Sequence, residues 1–195
     1  MNRKEEFVEF YNQYIKREGA KNLLEYLENS DFFTAPASSR FHNSIEGGLC
    51  DHSVNTFQRL KLMLDNEFGK DRSYYYTDET IAICGLLHDL CKIDFYKTDY
   101  RNVKENGEWV KKPYYAKDET LPYGHGEKSV YIISGFMKLS REEAMAINWH
   151  MGGFDARVRG GDNSISEAYR RFPLAIYLHL SYMLATYVDE NNHTF

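Results

Sequence analysis

Thr77-Asp-Glu-Thr-Ile-Ala-Ile-Cys-Gly-Leu-Leu-His-Asp-Leu-Cys-Lys92 decides the fold class of this chain. Thr77 reads as an N-cap, and Asp78 and Glu79 fall in the first turn, where the helix dipole favours carboxylates. Ile81, Cys84, His88 and Cys91 recur at three- and four-residue steps, so the spacing predicts one helix running to about Cys91. Its stripe is apolar apart from His88. Asp89 lies beside His88 at the edge of that stripe, where a carboxylate is costly unless it is paired or holds a cation. Neighbouring helix positions are about 100° apart, so both side chains reach one ion only if it sits between this helix and another. Taken alone, a His-Asp dipeptide is more often a local hydrogen bond than a metal site.

Outward from this stretch the pattern stays helical. Phe7, Phe10, Tyr11, Tyr14 and Ile15 have helical spacing, Gly19 and Ala20 break the run, and Asn22 to Glu28 make a second helix. Residues 29–47 read as a loop with Pro36 and Gly47-Gly48, followed by a helix from Leu49 to about Phe68. After the opening stretch, Tyr100-Arg-Asn-Val103 and Trp109-Val-Lys-Lys112 flank Asn106-Gly107, a strong hairpin signal, and an insert of about 95–123 is expected. Helices resume near His125. Ser140 with Glu143 and Ser164 with Glu167 fit capping boxes, and Pro173 suits the first turn of a last helix ending near Glu190. The expected fold is all-α, a helical bundle with an inserted β-hairpin, and residues 1–195 read as one domain.

The 195 residues suffice for a full hydrophobic core, and 43% hydrophobic residues is an ordinary globular share. A net charge of −5 argues against broad binding to a nucleic-acid backbone, duplex above all, and leaves room for a local phosphate pocket. Three cysteines, Cys50, Cys84 and Cys91, make no disulfide framework, and the spacing of Cys84 and Cys91 does not suit a zinc pair. The N-terminus lacks the apolar core of a signal peptide, and no apolar run reaches the ~18 residues of a membrane span. The expected location is the cytoplasm, with no membrane partner.

Four further segments bear on chemistry. Gly47-Gly-Leu-Cys-Asp-His52 starts a helix and puts an imidazole in its first turn; Gly124-His125-Gly126-Glu127-Lys128-Ser129 and Asn148-Trp149-His150-Met151-Gly152-Gly153 follow the His-Asp pair; Thr34-Ala-Pro-Ala-Ser-Ser-Arg-Phe-His42 precedes it. In this order, over about residues 31–190, the chain resembles the HD superfamily of metal-dependent phosphohydrolases, in a bacterial and phage-associated branch. Any one piece is unspecific; the combination is specific.

The resemblance implies an HD-domain helical bundle. It implies that His52, His88 and Asp89 hold one metal, that His125 and His150 add ligands for a second, and that Asp89 bridges. Imidazole with carboxylate suits one or two divalent transition ions (Fe, Mn, Ni, Co or Zn) better than calcium. The family's final Asp would fall in His179-Leu-Ser-Tyr182-Met-Leu-Ala185 at Tyr182, and a phenol with an ordinary pKa of about 10 is a poor ligand near neutral pH. His179 itself reads as a packed core histidine. Asp89 and Lys92 are the expected catalytic residues, with Lys92 and Arg40 on phosphate and His42 in the same rim loop.

Residues 92–128 hold eight Lys or Arg, seven Asp or Glu and seven aromatics, so the insert reads as a lid whose Tyr96 and Trp109 stack on a base. The equal alternative packs those rings on the helical body or on a partner subunit, which leaves a homodimer open. The expected activity is hydrolysis of a phosphate ester of a nucleotide or short oligonucleotide by metal-activated water. The second reading is a metal-dependent nucleotide-binding module impaired by Tyr182, and the third is oxygenation at a di-iron centre.

Overall fold

The computed structural model describes residues 2–40 and 42–190. Among them the protein is mostly helical, with one two-stranded antiparallel sheet. Helices α1 (Arg3–Tyr14) and α2 (Ala20–Asn29) lead into α3 (Gly48–Phe68), the short α4 (Arg72–Tyr75) and α5 (Asp78–Leu87). Strands β1 (Tyr96–Glu105) and β2 (Glu108–Lys117) follow, then α6 (His125–Ser134), α7 (Arg141–Trp149), the single turn α8 (Ala156–Arg159), α9 (Ser164–Arg171) and α10 (Leu174–Leu184). No helix among the described residues is long and apolar enough to cross a membrane.

One buried cluster ties these helices together. Phe7, Leu23, Phe32, Phe57, Leu60, Ile81, Ile83, Leu86, Ile147 and Leu178 are all sealed from water. α3 packs on α5 and α10, and α7 packs on α6 and α10. Two glycines set the closest approaches. A Cβ on Gly85 of α5 would stand 2.5 Å from the Phe57 Cα of α3, and one on Gly126 of α6 would stand 2.2 Å from the Asn148 carbonyl oxygen of α7. The cysteines are buried and unpaired.

The expected caps form at two places. Thr77 accepts from the Thr80 amide at 3.1 Å. Ser140 and Glu143 close a reciprocal box at 3.1 and 2.8 Å. Glu143, itself buried, also takes both arms of Arg17 at 2.9 Å and the Thr80 hydroxyl at 2.9 Å, which pins α7 to α5 and to the end of α1. The Ser164–Glu167 box does not form: the Asp162 carboxylate caps Ser164 at 2.8 Å, and Glu167 turns outward to Arg170 and Arg171. The second helix begins at Ala20, directly after Gly19 at φ 87°.

The hairpin turns at Asn106 and Gly107, with φ 50° and 93°, the left-handed pair that a two-residue connection between twisted strands requires. Its strands are shorter than the expected insert and stop at Lys117. The base is tied by the Asp118 amide on the Phe95 carbonyl at 2.8 Å and by the Asp94 amide on Asp31 at 2.9 Å.

Replacing a helical Gly by Ala ordinarily gains about 1 kcal/mol of propensity. For Gly85→Ala we expect the opposite, a loss of about 1–3 kcal/mol from overpacking against Phe57, read as a fall of several degrees in Tm. A rise in Tm would show that α3 and α5 do not meet this closely.

Candidate metal centre

Each expected ligand arrives from a different element. His52 sits in the second turn of α3 rather than the first, because that helix opens at Gly48. His88 ends α5, His125 opens α6 and His150 ends α7. The expected helix through Cys91 instead stops at Leu87. Asp89 has φ −108° and ψ 21°, and residues Leu90–Lys92 form a tighter turn. The break turns the Asp89 carboxylate inward. The turn is secured on α6 by the Cys91 amide, which donates to the Ser129 hydroxyl at 3.0 Å.

The carboxylate of Asp89, fully buried, has a pair of imidazoles at each oxygen. Oδ2 lies 3.5 Å from His52 Nε2 and 3.6 Å from His88 Nε2. Oδ1 lies 2.8 Å from His125 Nε2 and 3.4 Å from His150 Nε2. Three groups among the described residues could hold an ion: His42, His52 and Glu190; His52, His88 and Asp89; and Asp89, His125 and His150, the last two sharing Asp89. The two glycine contacts explain the pairing. Gly85 against Phe57 sets His88 beside His52, and Gly126 against Asn148 sets His125 beside His150.

The far nitrogens fix the rings. His88 Nδ1 donates to the Gly85 carbonyl at 2.9 Å and His150 Nδ1 to the Ile147 carbonyl at 2.7 Å. His52 Nδ1 faces the Glu190 carboxylate at 3.0 Å. With protons on Nδ1, the lone pairs of His52 Nε2 and His88 Nε2 point at each other across 3.2 Å, and the buried Nε2 of His150 has no hydrogen-bond partner. Two acceptors at that distance beside a carboxylate repel unless a proton or cation lies between them. Outer partners of this kind, holding Nδ1 and leaving Nε2 bare, are those of metal-ligating histidines. The donor set fits a divalent transition ion.

Burial favours the neutral form a metal needs at His52, His88 and His125. It pushes His52 and His42 down to about 3 and His88 well below its ordinary value. Burial opposes ionisation of Asp89, but the Lys92 ammonium and the hydrogen bond from His125 outweigh it and the carboxyl sits well below its usual range. Lys92, with 8% of its side chain exposed, places Nζ 2.6 Å from Asp89 Oδ2. Its ammonium is thus directed at the shared carboxylate. His125 is the exposed ligand, with 30% of its side chain open to water, and marks the open side of the centre.

Other sequence candidates take varied positions. Tyr182 is buried, its ring 5.5 to 6.4 Å from those of His52, His150 and His88, and burial pushes its phenol up to about 12. It therefore stands in the cluster as a neutral hydroxyl. His42 joins it from the rim loop, its ring 4.9 Å from that of His52 and its buried Nε2 without a partner. Arg40 is exposed, two residues before His42. Tyr96 is half-buried at the hairpin base, whereas Trp109 pairs with Lys104 near the tip and lies outside the cluster. His179 is half-buried, not sealed in the core, and its Nδ1 bonds the His150 carbonyl at 2.7 Å.

The sequence reading missed Glu190 as a partner of His52. Tyr182, Thr186 and Glu190 recur every four residues, which is the signal that would have found it. The widened turn Ala185–Asp189 then delivers Glu190, whose amide bonds the Ala185 carbonyl at 3.0 Å. The Cys91 thiol, 3.3 Å from His125 Nδ1, is the other unanticipated neighbour.

Compared with protein-family models, curated proteins and solved structures, the chain matches none of them.

Two predictions follow from the buried rings. First, chelator-treated protein loses stability as pH falls below about 6.5, because the unfolded chain takes up protons that the folded rings, with His42 and His52 at about 3, refuse. Each such ring contributes a slope of about 1.4 kcal/mol per pH unit between those limits, so Tm is markedly lower at pH 5 than above pH 7. An unchanged Tm over that range would mean the rings are not held neutral. Second, Glu190→Gln weakens metal binding by about 10–100-fold with little change in fold, measured by competition with a chromogenic chelator.

Proposed function

We propose that this chain is a metal-dependent phosphohydrolase of the HD type, acting on a phosphate ester of a nucleotide or short oligonucleotide. The observation that carries the reading is the pair of three-residue ligand groups sharing Asp89, each with its ligand atoms within 4.8 Å of one another. A shared carboxylate between two histidine pairs suits two ions, which in such sites lower the pKa of a water and stabilise both ends of an in-line displacement at phosphorus.

The chain's own groups have distinct tasks in this reading. Asp89 offers one oxygen to each side of the centre. Lys92 holds that carboxylate ionised and balances its charge in a dry environment. The carbonyls of Gly85 and Ile147 keep His88 and His150 turned so that Nε2 faces inward. Burial of His52, His88, Asp89 and His150 keeps bulk water from the inner side, so a phosphate approaches past His125. Arg40, exposed on the loop that carries His42, is the cation this reading assigns to an incoming anion.

Tyr182 supports a second reading, a metal-dependent nucleotide-binding module with impaired turnover. Its neutral phenol is buried among the cluster rings where the resembling family supplies a carboxylate.

Elemental analysis and a panel of phosphomonoesters, diesters and nucleotides decide between them. The hydrolase reading expects about two ions per chain, about one in His150→Ala, and metal-dependent product release. Bound metal and nucleotide-dependent thermal stabilisation without product, with hydrolysis gained in Tyr182→Asp, would establish the binding module. Absence of bound metal in metal-replete protein would sink both.

A further inference from the structure

The hairpin distributes its charge unevenly between its faces. Directly paired residues of antiparallel strands project to the same side, and the side alternates along each strand. The register pairs Tyr96 with Lys117, Thr98 with Tyr115, Tyr100 with Pro113, Asn102 with Lys111 and Lys104 with Trp109 on one face. That face therefore carries four aromatic rings and three lysines and no acid. The opposite face carries Lys97, Arg101 and Lys112 together with Asp99, Glu105 and Glu108.

The second face neutralises itself. Lys112 pairs with Glu105, and Lys97 pairs with Asp118 at 3.2 Å. Arg101 lies 5.5 Å over the Tyr114 ring, whose hydroxyl reaches Asp99 at 3.3 Å. On the first face, Lys104, Lys111 and Lys117 have no carboxylate within ion-pair distance among the described residues. Lys111 lies 5.1 Å from the Tyr100 ring centroid instead. Tyr100 is 54% and Trp109 71% exposed, and the register puts both on this one face beside the lysines. An isolated two-stranded hairpin is only marginally stable in water, so a face of this composition at its surface calls for a function.

One ligand chemistry satisfies both halves of the face. An acidic peptide answers the lysines and leaves the rings, and an apolar partner answers the rings and leaves the lysines. A strand of unpaired nucleotides offers a phosphate and a flat base at every step. The face also has a direction. Tyr96 lies half-buried at the base, four residues after Lys92, whose ammonium sits 2.6 Å from Asp89. Eight residues on, Lys104 and Trp109 lie about 26 Å away along the strands, room for about four nucleotides. Residues 96–117 hold six Lys or Arg against three Asp or Glu while the whole chain carries −5, so the hairpin is the basic part of an acidic protein.

We infer that this face binds single-stranded nucleic acid, with bases on Tyr100 and Trp109 and phosphates on Lys104, Lys111 and Lys117, and leads the strand to the Asp89 centre. The inference deepens the phosphohydrolase reading by naming its substrate class, and rests on that reading for the strand's destination. The binding itself does not require turnover.

Fluorescence anisotropy with a labelled single strand of about 12 nucleotides, oligo-dT or oligo-U, tests it in chelator and about 50 mM salt, so that hydrolysis plays no part. Saturable binding is expected, weaker by at least tenfold for a duplex of the same length. Tyr100→Ala and Trp109→Ala each weaken it by about 5- to 100-fold. The slope of log affinity against log salt is about −2 for three phosphate contacts and becomes shallower in Lys111→Ala. Arg101→Ala, on the opposite face, leaves affinity within twofold. Absence of saturable single-strand binding, or equal losses from both faces, overturns the inference. So does a dimer in sedimentation that Trp109→Ala dissolves while single-strand affinity stays unchanged, which assigns the face to a second copy. Binding with these properties but no hydrolysis under metal-replete conditions leaves the inference standing and removes the phosphohydrolase reading.

Discussion

The structure depends on one buried charge. Asp89 has no exposure to water, and an ionised carboxylate in that position costs several kcal/mol unless its surroundings answer it. Lys92 answers it directly at 2.6 Å and His125 at 2.8 Å, while His52, His88 and His150 stand 3.4 to 3.6 Å away. The elements that meet around it, α3, α5, α6 and α7, are also those whose packing makes the core. The same helix approaches that seal the apolar interior carry the polar cluster into it, so neither forms without the other.

The physical means are small. Gly85 and Gly126 remove a Cβ where two helices meet, at 2.5 and 2.2 Å from the nearest backbone atom of the neighbour. Helices this close bring side chains one turn away into register, which suffices to place imidazoles in pairs. Backbone carbonyls then occupy Nδ1 of His88 and His150, and the nitrogens left over converge. A polar cluster only partly satisfied by the protein is costly in a dry interior. Here His52 Nε2 and His88 Nε2 face each other at 3.2 Å and the unpartnered His150 Nε2 stands 3.4 Å from Asp89, the arrangement expected where a cation completes the set.

Much of this was legible in the sequence, and the residues show why the rest was not. His52, His88, Asp89, His125 and His150 were expected as a set only through the family resemblance of the segments that carry them, and all five meet. Asn106-Gly107 and the caps at Thr77 and Ser140 act locally and form as read. The end of α5 was hidden because Ile81, Cys84, His88 and Cys91 continue the helical period past Leu87. There, the tertiary demand of Asp89 overrides a periodicity that knows nothing of the partners. Ser164 failed as a cap because Asp162, two residues before it, competes better. Composition pooled Tyr96 with Trp109, but only the strand register separates base from tip.

Tyr182 changes the balance between the two halves of the centre. With a phenol there, Asp89 is the only carboxylate within the two ligand groups that share it, and Lys92 already balances it. A dication therefore meets little net negative charge, and its hold depends on what supports the imidazoles from behind. On the His52 side that support is Glu190, a second buried carboxylate acting through Nδ1. On the other side His150 has a backbone carbonyl and His125 a thiol that burial keeps protonated. The halves are thus unequal. The inner one is dry and backed by charge, suited to keeping an ion. The outer one is weaker and opens to water past His125, which under the proposed phosphohydrolase reading suits a ligand sphere that changes as a phosphate enters and leaves.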